Sequence, residues 1–218
     1  DSVLTALTGS TVSAADLDVG ETWTVRVTPN DGYVDGNFSE ESITVSNPDP
    51  SITSVSITPN TSVYNDSVLS CTSTATDADE TVTATVEWTV GTAIYTGASL
   101  DLSNTATMPT DIITCTASVS DSNGGSDSSS TTVTIDNRAP TVSGVGISPN
   151  TGVLSNTELT CLATVSDPDG ESLSASYEWF GSGVSIGSNN TLQLSNTLVV
   201  PNDSVECVAT VNDGFGGS

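Results

Sequence analysis

The stretch TVSGVGISPNTGVLSNTELTCLATVSDPDG, residues 141–170, decides the fold because its pattern occurs twice in the chain. Residues 51–80 read SITSVSITPNTSVYNDSVLSCTSTATDADE, the same pattern 90 positions earlier. A second pair of segments, residues 100–121 and 192–213, matches in the same way, as LDLSNTATMPTDIITCTASVSD and LQLSNTLVVPNDSVECVATVND. A repeat of this length indicates one folding unit per copy, so two full units are expected.

Apolar and polar residues alternate inside each unit, which is the pattern of half-buried β-strands. In the second unit the alternation runs through residues 159–165, 173–179 and 205–211, and the first unit repeats it with a closing strand at 131–135. β-branched residues are frequent and strong helix formers are scarce. The sequence therefore predicts an all-β fold with about seven strands in each unit.

Each full unit carries two cysteines with a tryptophan between them: Cys71, Trp88 and Cys115, then Cys161, Trp179 and Cys207. This arrangement resembles the immunoglobulin fold, and the resemblance implies tandem immunoglobulin-like β-sandwich domains. It also implies that each cysteine pair forms a disulfide between the two sheets, closing a loop that would stabilise a domain by about 4 kcal/mol. Zinc ligation fits poorly, because it requires short Cys spacing and usually His. Unpaired buried thiols remain an alternative.

Three domains are expected along the chain. Residues 1–49 match the C-terminal half of an immunoglobulin-like domain, with Val25 at the position of Cys207; residues 50–138 form a complete domain, and residues 139–218 form one that lacks its last strand. The linkers at 47–50 and 136–140 are short, and their prolines limit backbone freedom. Both ends are expected to cut through modules of a longer repeat protein. The alternative is a subunit that neighbouring molecules complete by strand donation.

The charge of the chain is strongly negative. It has 27 acidic residues, two arginines, no lysine and no histidine, for a net charge of −25. Such a charge argues against nucleic acid and anionic membrane surfaces as partners. No apolar run approaches the roughly 18 residues of a membrane span, so direct membrane insertion is not expected. The paired cysteines favour an oxidising compartment, and we expect an extracellular or cell-surface location.

Acidic residues cluster in the loops that follow the cysteine-bearing strands and in the second linker. Ca²⁺ takes about six to eight oxygen ligands, and closely spaced carboxylates on a turn supply several. These loops, and the linker DNRAP at 136–140, resemble those of PKD and cadherin-like repeats in large prokaryotic secreted or surface proteins. The candidate calcium ligands are Asp77, Asp79, Glu80, Asp121, Asp136, Asn137, Asp167, Asp169, Glu171 and Asp213.

Arg138 departs from the cadherin-like linker, and its guanidinium could occupy a site that a cation would otherwise fill. The alternative to calcium binding is a set of solvated turns, because Asp, Asn, Gly and Pro are ordinary turn residues.

Five N-x-[ST] sequons are further candidates, for glycosylation in a host that has the machinery. They begin at Asn37, Asn60, Asn65, Asn189 and Asn202.

Catalysis is not expected, because no His or Lys is present to act as base, acid or nucleophile. Glu87 and Glu178 recur beside the core tryptophans and should point outward, so they are not a catalytic pair. We expect a structural repeat segment of an extracellular filament, surface fibre or stiff spacer, with other copies or neighbouring repeats as partners. One alternative is an adhesin module that binds a glycan or protein through Tyr33 and Phe215. Another is a stalk that displays a separate enzyme domain.

Overall fold

The computed structural model describes residues 9–216, and within this range the protein is all-β. The regular elements of this range are 15 strands and two 3₁₀ turns, Ala14–Asp16 and Leu102–Asn104, with no α-helix. The strands are β1 (Thr22–Val27), β2 (Ser39–Thr44), β3 (Ser51–Thr58), β4 (Val68–Thr76), β5 (Thr85–Val90), β6 (Ala93–Thr96), β7 (Ser99–Asp101), β8 (Ile112–Ser120), β9 (Ser126–Thr134), β10 (Thr141–Ser148), β11 (Glu158–Ser166), β12 (Ser176–Gly181), β13 (Val184–Gly187), β14 (Thr191–Gln193) and β15 (Val205–Thr210). No helix among these residues is long and apolar enough to cross a membrane.

The described strands form five small sheets whose order follows the sequence repeat. Sheets β3-β4-β7 and β6-β5-β8-β9 come from the first sequence repeat, and sheets β10-β11-β14 and β13-β12-β15 come from the second. Strands β1 and β2 make the fifth sheet. Pairing is antiparallel, as in β1–β2, β10–β11 and β12–β15. The two sequence repeats therefore share one sheet topology, with β9 as an additional edge strand in the first.

Both predicted disulfides are present, and each joins two different sheets. Cys71 in β4 is bonded to Cys115 in β8, and Cys161 in β11 is bonded to Cys207 in β15. The intervening tryptophan is fully buried in each sequence repeat. The Trp88 indole N–H donates to the carbonyl oxygen of Gly97 at 2.9 Å, and that of Trp179 donates to Asn189 at 2.7 Å. The two sheets of each sequence repeat therefore share a small core. This core contains one disulfide and one buried tryptophan whose indole N–H has a hydrogen-bond partner.

Two strands differ from their predicted extents. The closing strand β9 spans Ser126–Thr134 instead of 131–135. The strand expected over 173–179 is paired only from Ser176, although burial already alternates along residues 171–179. The alternation of side-chain burial was predicted correctly, but it extends beyond the hydrogen-bonded ladder.

The chain divides into two compact units. Unit 1 comprises the described residues of Asp1–Ser56, with Thr72–Val86 and Thr116–Ser130. Unit 2 comprises Ile57–Cys71, Glu87–Cys115 and the described residues of Thr131–Ser218. Unit 1 contains the β1–β2 sheet, on which Val25, Val27 and Ile43 are exposed. Unit 2 contains both disulfides, both buried tryptophans and all strands from β10 onward.

Candidate cation sites

The first acidic cluster lies in unit 1, and we define it as Asn47, Asp77, Asp79 and Asp121. Asn47 belongs to the first linker, Asp77 and Asp79 follow β4, and Asp121 follows β8. The Asn47 Nδ2 donates to Asp121 Oδ2 at 2.8 Å, while Asp121 Oδ1 accepts from the backbone N–H of Asn123 and Gly125. Donation from Asn47, followed by these backbone donors, lowers the pKa of Asp121. This carboxylate is therefore held ionised against the linker.

Asp77 and Asp79 lie in the same turn and influence each other's ionisation. The Asp79 backbone N–H donates to Asp77 Oδ1 at 3.2 Å. Interaction with the Asp79 side chain lowers the pKa of Asp77, and the same interaction with Asp77, together with burial, raises the pKa of Asp79. Because neighbouring like charges repel each other, a positive charge between the two carboxylates would be stabilising.

Two oxygens of the first cluster are buried without any hydrogen-bond partner: Asn47 Oδ1 and Asp77 Oδ2. Burial of a polar oxygen without a partner is unfavourable, and a coordinated cation would remove that cost. A fifth residue, Asp49, lies nearby. A Cβ added to Gly125 would overlap the Asp121 carboxylate and come within 2.7 Å of Asp49 Oδ1, so both carboxylates face the same glycine.

The second acidic cluster lies in unit 2, and we define it as Asn137, Asp167, Asp169, Glu171 and Asp213. Asp167, Asp169 and Glu171 each present an oxygen, and these three oxygens lie within 4.8 Å of one another. Asn137 Nδ2 donates to Asp213 Oδ2 at 2.8 Å, as Asn47 does to Asp121 in the first cluster. The repeat thus places an asparagine of each linker against the aspartate that follows β8 or β15.

Four oxygens of the second cluster are buried and have no hydrogen-bond partner: Asn137 Oδ1, Asp167 Oδ2 and both carboxylate oxygens of Glu171. Burial, and then the neighbouring Asp167, raise the pKa of Glu171. Each buried oxygen without a partner is costly, since it loses its contact with water.

Arg138 neutralises one member of the second cluster. Its backbone N–H donates to Asp169 Oδ2 at 2.7 Å and its Nε to Asp169 Oδ1 at 2.8 Å. The Asp169 side chain has no exposed surface. Burial opposes ionisation of Arg138, but hydrogen bonds with Asp66 and Asp169 outweigh it and raise the pKa of this guanidinium.

The ligand atoms that both clusters offer are oxygens, which hard cations prefer. Carboxylate and amide oxygens are the ligands that Ca²⁺ prefers, in flexible sets of about six to eight. The Mg²⁺ ion prefers a stricter octahedron with several waters, and Zn²⁺ prefers nitrogen and sulfur, neither of which these clusters offer. The oxygens are therefore of the kind that calcium prefers, and the second cluster would offer it those of Asp167, Asp169 and Glu171, which lie together.

The remaining candidate ligands have other surroundings. Both carboxylate oxygens of Glu80 accept from Ser122, one from its backbone N–H at 2.7 Å and one from its hydroxyl at 2.8 Å. Glu80 therefore closes the loop after β8. Asp136 is exposed, and its backbone N–H donates to the carbonyl oxygen of Val63. Asn47 and Asp49 were not predicted, although the 90-residue repeat from Asn137 would have identified Asn47.

Four of the five sequon asparagines are exposed: Asn37, Asn60, Asn189 and Asn202. Asn65 is half-buried, and its Nδ2 donates to the carbonyl oxygen of Asp169 at 2.5 Å.

The side chains considered for catalysis or ligand binding are mostly exposed. Glu87 and Glu178 are exposed, and they lie on different strands, β5 and β12. Tyr33 is 96% exposed, so it does not pack on its own domain, and Phe215 is 38% exposed.

Comparison with known proteins gives no further guidance on these sites. No protein-family model matches the chain, and no curated protein is significantly similar to it. The site is therefore interpreted from its own geometry.

Proposed function

We propose that this chain is a structural segment of an extracellular filament, surface fibre or spacer, built from tandem immunoglobulin-like sandwiches. Its role is mechanical. Disulfides between sheets hold the small cores together, and the short proline-containing linkers restrict the angle between modules. The paired cysteines favour an oxidising compartment. No catalytic role is assigned, since the chain lacks His and Lys.

Calcium binding at the linkers is the second part of this proposal. The observation that carries it is the group of four buried, unpartnered oxygens from Asn137, Asp167 and Glu171. These residues come from the second linker and from the loop after β11. An ion held by them would tie the linker to that loop and restrict its motion, as a stiff spacer requires.

Calorimetric titration with calcium chloride and thermal melting test the calcium proposal. We expect calcium binding and a higher Tm in calcium than in EGTA at matched ionic strength, because a ligand that binds only the native state stabilises it. The variant Glu171→Gln should weaken binding, while Glu178→Gln, an equal change of charge at an exposed position, should not. Absence of binding heat together with identical melting curves would refute calcium binding.

Electron microscopy of the native secreted protein tests the mechanical role. Regular filaments with an axial repeat commensurate with one or two modules would support a structural polymer. Isolated rods tipped by a different domain would instead make this segment a stalk.

An adhesin is the second candidate function, because Tyr33 is almost fully exposed at the tip of the loop between β1 and β2. A hydrogen bond from Asn30 Nδ2 to Asp35 Oδ1 at 2.6 Å closes the base of this loop. If the loop recognises a glycan or protein, Tyr33→Ala should abolish binding to a cell surface that the wild type coats. Equal coating by both proteins would exclude Tyr33 as the contact.

A further inference from the structure

Position 138 is where the two linkers differ most in charge. The first linker reads Asn47-Pro48-Asp49-Pro50 and the second reads Asn137-Arg138-Ala139-Pro140. The asparagines keep the same role, since each donates to the aspartate after β8 or β15. Arg138 replaces Pro48, so one linker carries a fixed cation that the other lacks.

Arg138 ties its linker to two separate loops of unit 2. Apart from Asp169, it reaches the loop between β3 and β4. Its NH1 donates to Asp66 Oδ2 and its NH2 to Asn65 Oδ1, both at 3.0 Å, and its guanidinium lies 4.7 Å from the centre of the Tyr64 ring. The NH2 also donates to the carbonyl oxygen of Pro168 at 3.0 Å. An arginine is suited to this role because its donors form a planar fork and its face stacks on aromatic rings.

The two loops also contact each other directly, through the hydrogen bond from Asn65 Nδ2 to the carbonyl oxygen of Asp169. The arginine contacts therefore close a connected network, which we call the Arg138 clamp: Tyr64, Asn65, Asp66, Arg138, Pro168 and Asp169.

The counterpart of Asp169 in the first cluster is Asp79, and no described basic side chain forms an ion pair with it. The ion pairs of the described residues are Arg26 with Glu40, and Arg138 with Asp66 and Asp169. Asp79 instead interacts with Asp77, whose Oδ2 is buried without a partner. The second cluster has Glu171 as an additional carboxylate, and the first has Thr81 at the matching position.

We infer that Arg138 serves as a built-in cation at the second linker, so that the two linkers depend on calcium to different degrees. Among the described residues, the first linker has only the hydrogen bond from Asn47 to Asp121, and a divalent cation at Asn47, Asp77, Asp79 and Asp121 would strengthen its attachment. The second linker keeps the Arg138 clamp when calcium is removed. This inference rests on the proposed calcium binding at the first cluster and extends it, because removal of calcium would loosen one linker and leave the next one fixed.

Hydrogen exchange measured by mass spectrometry on the whole chain, in calcium chloride and in EGTA, tests the inference. Two sets of amides act as reporters. The N–H groups of Asn123 and Gly125 donate to Asp121 in the first cluster, and the N–H of Arg138 donates to Asp169. In EGTA we expect exchange at the first set to rise about tenfold or more, and exchange at Arg138 to change less than about threefold.

The variant Arg138→Gln should make the second linker sensitive to calcium removal as well. The backbone amide of residue 138 should then lose about tenfold in protection from hydrogen exchange in EGTA. Arg26→Gln is the matched control, because it removes the same charge from an exposed ion pair with Glu40. It should change neither reporter. If Arg138→Gln does not fold, the comparison of the two linkers within the wild type still decides the question.

Two results would overturn the inference, and they are distinguishable. Equal loss of protection at both linkers of the wild type would leave calcium binding intact and show that Arg138 does not replace a cation. No change at either linker would refute calcium binding at the first cluster, and the inference with it.

Discussion

At the scale of single residues, two aspartates at equivalent positions of the repeat differ in their partner. Asp79 and Asp169 occupy matching positions in the repeat, but Asp79 faces another carboxylate and Asp169 faces Arg138. Hydrogen bonding to Asp77, followed by burial, raises the pKa of Asp79. Within the described part of the chain, the same aspartate position therefore lacks a positively charged partner in the first repeat and has one, Arg138, in the second.

The two carboxylates that bind Arg138 should contribute very unequally to stability. The Asp169 side chain has no exposure, whereas that of Asp66 is 58% exposed. We expect Asp169→Asn to destabilise the protein by about 3 kcal/mol, because it leaves the half-buried guanidinium of Arg138 without its closest partner. Asp66→Asn should cost about 1 kcal/mol or less, as is usual for exposed ion pairs.

Urea unfolding followed by circular dichroism in EGTA would measure both variants, with calcium absent so that ligand binding does not contribute. Equal costs for the two substitutions would contradict the burial argument.

The candidate site could be predicted from sequence only in part. The acidic turns were visible because carboxylates recur at fixed offsets, and the departure at Arg138 was visible against the linker pattern. The partners of Arg138 in the β3–β4 loop were not, because Tyr64, Asn65 and Asp66 lie over 70 positions away and no local pattern links them. Asp49 was missed because its proximity to Asp121 depends on the fold of the loop around Gly125.

At the scale of elements, the disulfides are covalent links between sheets that do not share a hydrogen-bonded ladder. β11 and β15 belong to different three-stranded sheets, and the bond between Cys161 and Cys207 connects them across 46 positions of sequence. The buried cluster around this bond is small, with Leu159, Trp179, Leu192, Leu194 and Val199 as the buried members beside Cys161. A disulfide therefore adds substantially to the stability of a domain with so small a core, because it restricts the conformations of the unfolded chain.

Replacing both Cys161 and Cys207 with alanine should lower the free energy of unfolding of this module by about 4 kcal/mol on the chain-entropy account. The equivalent change at Cys71 and Cys115 should have a similar effect, because its sequence separation of 44 is nearly the same. Urea denaturation of the oxidised wild type and of each double variant would give these values. A change within error of zero would mean that packing alone holds the sheets together.

Strand positions were predictable where side chains alternate, and less so where only the backbone defines the strand. β11 and β15 carry apolar residues at every second position, and the sequence located both. β9 begins five residues earlier than predicted, in the run Ser126-Asp127-Ser128-Ser129-Ser130. This run pairs with β8 at the edge of its sheet, where backbone hydrogen bonds suffice and the serine side chains remain exposed, while Asp127 is half-buried and accepts from the backbone N–H of Ile52.

At the scale of the whole molecule, the excess of negative charge is a feature of the sequence that opposes folding. A net charge of −25 with only two arginines leaves almost every carboxylate without a basic partner. Folding brings these charges closer together, so self-repulsion opposes the compact state more than the extended one. Mobile ions from the solvent must reduce this repulsion.

Monovalent salt should therefore stabilise the protein independently of calcium. Between about 10 mM and 150 mM salt the screening length falls from roughly 30 Å to 8 Å, which weakens repulsion between distant carboxylates. If this stabilises the native state by about 1 kcal/mol, the Tm should rise by about 2–4 °C in a chain of this size.

Thermal melting in EGTA at increasing sodium chloride would measure the effect, with potassium chloride as a control for ion identity. Calcium added at constant ionic strength should raise the Tm further, because coordination by buried oxygens is not replaced by diffuse screening. A Tm that falls as salt is added would show that attractive ion pairs, of which the described residues have three, outweigh the repulsion of the excess carboxylates.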